Sequence, residues 1–488
     1  MFITNNLGKL DEEDPERRDE EKTEDNQKIT GGDYPTRKDY SRREGIMSNG
    51  GSAVKDVAKT AWGYRHVILL IIWLLYLINY FDRISVLIFL PYIQKDLNLT
   101  TVEVGWLGSI FFFGYALAQF SAGYLSDKWG PKKTMNIAIW VFTLVTGLTG
   151  FVKTYVQFII LRLGLALGEG HHYVPAARMI ANWFPREEKG RANGFFVTTW
   201  AVAPAIIPLS ITWIAAEFFA GAWRPIFFLL VIPGLLGIVI LWYYIANTPK
   251  EMLDRGRVKQ EEYNLITASV GADASVHGKT YSSKIYMHDR NFYTFNLAWF
   301  VMLMLYWGLT TWLSFFLVKA HGLNLKTMGI FASVPYVAAA VGMYGGGWVA
   351  DRFLAKHPRY VSILGFGGCV PILYFLGQVP KGDINSLLVL LILAGFFVNL
   401  PWPTMQAWPQ YRYPKEVIGR VMGITNGIGQ LGAFLSPVIA GYLVGTLPDG
   451  SSNFNNVFIF WALSSIVATV SVWLLSEKEI THSDFENQ

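Results

Sequence analysis

The stretch Leu77–Gln94, LINYFDRISVLIFLPYIQ, decides how this chain is read. The 15 residues before Asp82, VILLIIWLLYLINYF, hold one clearly polar side chain, Asn79, and the ten after Arg83, ISVLIFLPYI, are nearly as apolar. A helix of that length crosses about 30 Å of hydrocarbon. The Asp-Arg pair inside it is therefore either a salt bridge in a buried soluble helix or a working pair within a membrane.

The rest of the chain favours the membrane. Of 488 residues, 52% are hydrophobic and 16% charged, with mean hydropathy +0.30. Residues 1–64 carry 14 acids and 11 bases, a net −3, which leaves +8 for the remainder. That excess is spread over short loops, so no nucleic-acid partner is expected. A single cysteine, Cys369, excludes an intrachain disulfide.

Hydrophobic segments are expected near 66–92, 103–125, 133–151, 155–181, 191–216, 225–246, 293–317, 328–349, 360–378, 385–407, 420–445 and 455–475. These twelve predict an all-α membrane protein with two six-helix halves, at 65–247 and 291–476. A polar stretch, 248–290, reads as a cytoplasmic central loop. Residues 1–64 read as a charged, disordered cytoplasmic tail, 477–488 as a second tail, and Met47 as a possible true start. Loops after segments 2, 4, 8 and 10 hold 12 lysines and arginines, against six in the opposite loops. That asymmetry predicts both termini in the cytoplasm, and the cell inner membrane is the expected location.

The halves repeat. GYLSDK at 123–128 aligns with GWVADR at 347–352, and PREEKGRANG from Pro185 with PKEVIGRVMG from Pro414. Such duplication puts a binding site at the midplane, between the halves.

Four ionisable residues lie deep in the first half: Asp82 and Arg83 in segment 1, Arg162 and Glu169 in segment 4. Charges at such depth face partners or a wet cavity. Arg162 and Glu169, seven apart, share one helix face. All four are expected to approach and neutralise one another, as structural ion pairs or as working groups. As working groups, Asp82 and Glu169 are candidates to couple protons. Arg83 and Arg162 are candidates for a ligand's carboxylate, since arginine keeps its charge and binds through two parallel bonds. His172 is expected as a hydrogen-bonded neighbour of the site. The HH pair at 171–172 lacks metal-ligand spacing, so neither metal nor cofactor is expected. In the second half, Asn399 and Asn426 interrupt apolar helices and are further site candidates.

The loop GYLSDKWGPKK resembles the signature of the major facilitator superfamily. Within that superfamily, NYFDR, FFFGYALAQFSAGYLSD, RLGLALGEG, MIANWFPREEKGRANG and GITNGIGQLGAFLSP resemble the anion:cation symporter group. The resemblance implies the major facilitator fold. It also implies a monomeric, proton-coupled importer of a small organic anion, such as an aromatic or sugar acid, working by alternating access and not an enzyme. A spinster-like lysolipid carrier or an anion exchanger is the alternative. Tyr80, Tyr115 and Gln119 enter as substrate contacts on this resemblance, with Trp200 where related sugar-acid carriers have an amide. Gly123, Asp127, Gly130, Lys132 and the repeat counterpart Asp351 enter as gating residues, with Arg178 near the same end.

Overall fold

The computed structural model describes residues 62–268, 284–448 and 450–478. The tail expected over residues 1–64 and its candidate start at Met47 lie almost wholly outside them, as does most of 477–488.

The first half is built from α1 (Tyr64–Leu97), α2 (Thr101–Trp129), α3 (Pro131–Thr149), α4 (Tyr155–Trp183), α5 (Arg186–Val197), α6 (Thr199–Phe218) and α7 (Arg224–Tyr244). The central stretch is not a bare loop, because it carries α8 (Pro249–Asp254), α9 (Gln260–Ala268) and α10 (Lys284–Met287). The second half comprises α11 (Arg290–Lys319), α12 (Leu325–Phe353), α13 (Arg359–Gln378), α14 (Ile384–Asn399), α15 (Trp402–Arg412), α16 (Lys415–Leu443) and α17 (Asn455–Trp473). A two-stranded hairpin, β1 (Gly445–Thr446) and β2 (Ser452–Asn453), precedes α17.

With α5–α6 and α14–α15 taken as broken rods, these are the twelve expected segments. Local chemistry sets their ends. Asn98, with φ 51°, stops α1 in a left-handed turn. Thr100 and Glu103 form a capping box on α2, and Thr154 and Gln157 one on α4. Between α14 and α15 the chain passes through Pro401, which has no N–H to continue the ladder. Among the described residues, nine spans are long and apolar enough to cross a membrane. The three rods that fall short are α3, α4 and α16. In α4 the reason is visible as Arg162, Glu169, His171, His172 and Arg178.

In the first half α4 packs on α2 and α3, and α3 on α7. In the second, α11 packs on α16 and α17, α12 on α14, and α13 on α17. The halves meet along α2–α16, α6–α12 and α1–α11. Their contact differs at the two ends. We call the end with the α2–α3 and α4–α5 loops the basic end. At the opposite end, a Cβ on Gly105 would lie 2.5 Å from the Pro437 carbonyl, and one on Gly441 2.7 Å from the Thr101 carbonyl. From mid-helix toward the basic end, Cβ atoms on Gly427, Gly423, Gly345 and Gly123 would meet nothing within 4 Å. The halves are thus in close backbone contact at the end away from the basic loops, and no such contact is made at these four glycines.

Candidate functional site

Asp82 and Arg83 sit on adjacent positions of α1, about 100° apart around the helix, and they part company. Arg83 faces the interface of the halves, 3% exposed. Its Nε and Nη2 each lie 2.9 Å from Glu169 Oε2, and Nη2 donates to Asn79 Oδ1 at 3.4 Å. Four rings surround its guanidinium: Tyr115 at 4.7 Å, Phe111 at 4.8 Å, Tyr80 at 4.9 Å and Trp307 at 5.7 Å. Asp82 turns toward α3 beside Thr146, and its Oδ1 has no hydrogen-bond partner.

Mutual neutralisation of all four charges is therefore corrected to one pair, Arg83–Glu169. Arg162 is buried, donates from Nε to the Leu107 carbonyl at 3.2 Å, and lies 4.9 Å from the Phe111 ring centre. Its Nη1 and Nη2 have no hydrogen-bond partner. The Phe111 ring centre thus lies 4.8 Å from one guanidinium group and 4.9 Å from the other.

His172 is also corrected. It is fully buried with both ring nitrogens unpartnered, packed against Tyr76 at 5.5 Å and Phe142 at 6.2 Å. Its neighbour His171 is the bonded one, to Ser121 Oγ at 2.8 Å and the Leu167 carbonyl at 2.7 Å. The kink at His171, φ −89° and ψ 15°, has a cause four residues on. Pro175 offers no N–H to the His171 carbonyl.

In the second half, Asn399 donates to the Gly395 carbonyl at 2.9 Å and leaves Oδ1 unpartnered. It lines a cavity of about 50 Å³ with Tyr306, Thr310 and Tyr336. Asn426 reaches across to the first half and donates to Gln119 Oε1 at 2.8 Å. Trp200 joins the opposing wall, 6.1 Å from Trp402 and 6.0 Å from Tyr173.

At the basic end, Asp127 pairs with Arg178 of α4. Lys132 donates its backbone N–H to Asn247 Oδ1 and its ammonium to the Trp242 carbonyl. Gly130 joins α2 to α3 with φ 83°, where a side chain would be strained. Gly123 faces open space. Asp351 lies on a separate cavity at the basic end, with Lys356, Arg359 and Arg412.

Sequence reasoning missed Phe111, Tyr76 and Tyr173, whereas Trp307 and Trp402 stand among the second-half aromatic residues that it offered to the body of a ligand without telling them from packing tryptophans. A signal existed for one of them, since Tyr76, Tyr80 and Arg83 fall at i, i+4 and i+7 on a single face of α1.

The Major Facilitator Superfamily profile matches residues 72–437 and, in an overlapping second match, 382–488. The chain belongs to the Major Facilitator Superfamily. It is accordingly a multi-pass membrane transporter and not an enzyme. Relatives include the probable galactarate/D-glucarate transporter of Escherichia coli, 27% identical over 445 residues, covering 85% of this chain and 95% of that protein. The probable sulfoacetate transporter of Cupriavidus necator is 28% identical over 393 residues, covering 78% and 87%. Among solved structures, a bacterial homolog of the human lysosomal transporter Spinster, in an inward-facing and occupied conformation, aligns with TM-score 0.69 at 16% identity, covering 85% of this chain and 97% of that one. A D-xylose–proton symporter aligns with TM-score 0.68 at 14% identity, covering 86% and 100%. At those identities the structural likeness speaks for the superfamily fold alone.

Proposed function

We propose that this transporter imports an organic anion together with protons by alternating access. The observation that carries the reading is the buried Arg83–Glu169 pair at the interface of the halves. A guanidinium held by one carboxylate can exchange that partner for a ligand's carboxylate. Protonation of Glu169 then frees Arg83 for the substrate, which ties proton binding to substrate binding. Asp82, buried and without an ion pair, is the second proton site. The acid-carrying relatives support the anion, and the basic loops support a cytoplasmic basic end, with both termini there, in the inner membrane. The tight packing at the opposite end, with the looser one toward the basic loops, then corresponds to the inward-facing state. Asp127, Arg178, Lys132 and Asp351 act at its gate, and Gln119 and Asn426 join the halves at the floor of the cleft. The working unit is the monomer, built of the two halves and a cytoplasmic linker between them.

The test is uptake of labelled organic acids into proteoliposomes, with and without an inward proton gradient. Accumulation above equilibrium only under the gradient supports the reading. Equilibration that ignores the gradient overturns coupling, and absence of acid uptake overturns the anion.

A further inference from the structure

We infer that the transported anion is an aromatic carboxylate, its ring held in a belt of facing aromatic side chains; the inference rests on the organic-anion reading above. In the first half, Tyr80 touches Arg83, Tyr76 lies 5.5 Å from Tyr80, Tyr173 5.9 Å from Tyr76, and Trp200 6.0 Å from Tyr173. In the second half, Trp307 touches Arg83, Tyr306 lies 5.1 Å from Trp307, and Trp402 5.6 Å from Tyr306. Trp402 then meets Trp200 at 6.1 Å, which closes the circuit across the two halves. A belt that begins and ends at one arginine offers a carboxylate its guanidinium and the group attached to it a wall of aromatic edges and faces.

The polar atoms of this belt are tyrosine hydroxyls and indole N–H groups, with Arg83 as its charge. The nearby amides are partly engaged: Gln119 and Asn426 bond each other, Asn79 Oδ1 accepts from Arg83, and Asn399 Nδ2 donates to the Gly395 carbonyl. That leaves Asn79 Nδ2 and Asn399 Oδ1 as the buried amide atoms without a partner among them, fewer than a polyhydroxylated chain needs. A linear sugar acid brings a chain of hydroxyls that each lose water on entry and need a partner. A benzene ring brings none, and one or two ring hydroxyls suit the tyrosine tips. Facing aromatic pairs add affinity beyond the area they bury. Beside the belt, Tyr306 also lines the small cavity with Trp312, Leu313, Phe316 and Phe458. Its largely apolar wall takes a methyl or chloro substituent in preference to a charged one.

The experiment measures binding to the purified full chain by calorimetry. The probes are benzoate, 4-hydroxybenzoate and phenylacetate, against D-glucarate, D-galactonate and sulfoacetate, with benzamide as the uncharged control. The expected result is binding of at least one aryl acid about tenfold tighter than either sugar acid. Trp402→Ala should weaken the aryl acid about tenfold, and Trp402→Phe should restore most of it. Tighter binding of a sugar acid or of sulfoacetate overturns the aromatic inference and leaves the anion reading standing. Failure of every acid to bind, or benzamide binding as tightly as benzoate, overturns both. Because the wild-type panel decides by itself, a variant that fails to fold does not rescue the inference.

Discussion

Arg83 and Glu169 share one carboxylate oxygen. Both guanidinium nitrogens lie 2.9 Å from Glu169 Oε2, while Oε1 is buried without a partner. An ion pair built only for stability would use both oxygens, since the parallel two-bond geometry is the stronger one. Here one oxygen holds the arginine, and the other is left where a proton can reside. Glu169→Gln fixes the neutral state, in which Arg83 is released to the substrate. The variant should therefore exchange substrate at near wild-type rates yet lose accumulation under a proton gradient. Counterflow and gradient-driven uptake in the same proteoliposomes check this. A variant that accumulates like wild type makes the pair structural.

Arg83 is expected to hold the substrate's carboxylate. Losing a hydrogen bond to a charged group costs about 1.5–3 kcal/mol, roughly 10- to 150-fold in affinity. Arg83→Lys keeps the charge but not the planar fork. It should bind more weakly than wild type and more tightly than Arg83→Ala. A titration with an acid and its amide on folded variants reads the difference. If Arg83→Ala keeps the full preference for the acid, the carboxylate sits elsewhere, and Arg162, with two unpartnered nitrogens, is the next position to test.

Much of this architecture was legible beforehand, for physical reasons. Twelve rods followed from length and hydropathy, and the repeat followed from matched loops. Depth alone singled out Asp82, Arg83, Arg162 and Glu169, because a buried charge is conspicuous in an apolar run. Their pairing was not legible. A separation of seven places Arg162 and Glu169 on one face of an ideal helix but says nothing of which neighbour each meets. Aromatic residues were harder still. Trp307 at the site and Trp312 in the packing look alike in sequence, because a tryptophan fits both environments. The different fates of His171 and His172 turn on which neighbour each ring meets, Ser121 for one and Tyr76 with Phe142 for the other, which spacing within one helix does not tell.

Two glycines at different depths of the interface should answer differently to one methyl group. Gly105→Ala places a carbon 2.5 Å from the Pro437 carbonyl, backbone that cannot move aside. Overpacking of this kind costs about 1–3 kcal/mol, and here that cost falls on the state closed at this end. Gly427→Ala meets nothing within 4 Å. Gly105→Ala should shift the population toward opening at the end away from the basic loops, and Gly427→Ala should leave the state described here undisturbed. Labelling rates of a cysteine placed at each end report the shift. Equal rates in both variants would show that the packing at Gly105 does not control closure.

Arg65 should be a stability hot spot. Only 3% exposed, it grips Glu188 through Nε at 2.8 Å and Nη2 at 3.2 Å, and Glu262 of α9 through Nη1 at 3.2 Å. Glu262 also accepts the backbone N–H groups of Tyr64 and Arg65, which caps α1. Removing one partner of a buried pair costs about 3–5 kcal/mol, and these carboxylates, each 12% exposed, put Arg65→Ala toward the lower figure. Glu262→Gln retains an acceptor for the cap and should cost less. Thermal unfolding in detergent gives the order wild type, Glu262→Gln, Arg65→Ala. If Arg65→Ala melts with wild type, the clasp carries no stability.

Acid should unmake a second clasp. Asp289, at the end of the central stretch, accepts Arg412 Nε at 2.5 Å, Arg412 Nη2 at 2.9 Å, the Tyr413 hydroxyl at 2.7 Å and two bonds from Asn291 at 3.0 Å. Burial pushes its carboxyl upward, but the bonds from Arg412, Asn291 and Tyr413 outweigh it and hold the group below its ordinary 3.8. A carboxyl depressed on folding contributes stability that is fully present above the unfolded value and disappears as pH falls through the lower folded one. Asp289→Asn should therefore melt earlier than wild type at pH 7. The gap should persist down to about pH 4 and close below it, as wild type takes up the proton that the amide cannot. Melting curves of both proteins from pH 7 to pH 3 measure the gap. A gap that is constant through the acid range assigns the loss to shape, and one that is absent at pH 7 removes Asp289 from the fold's electrostatic support.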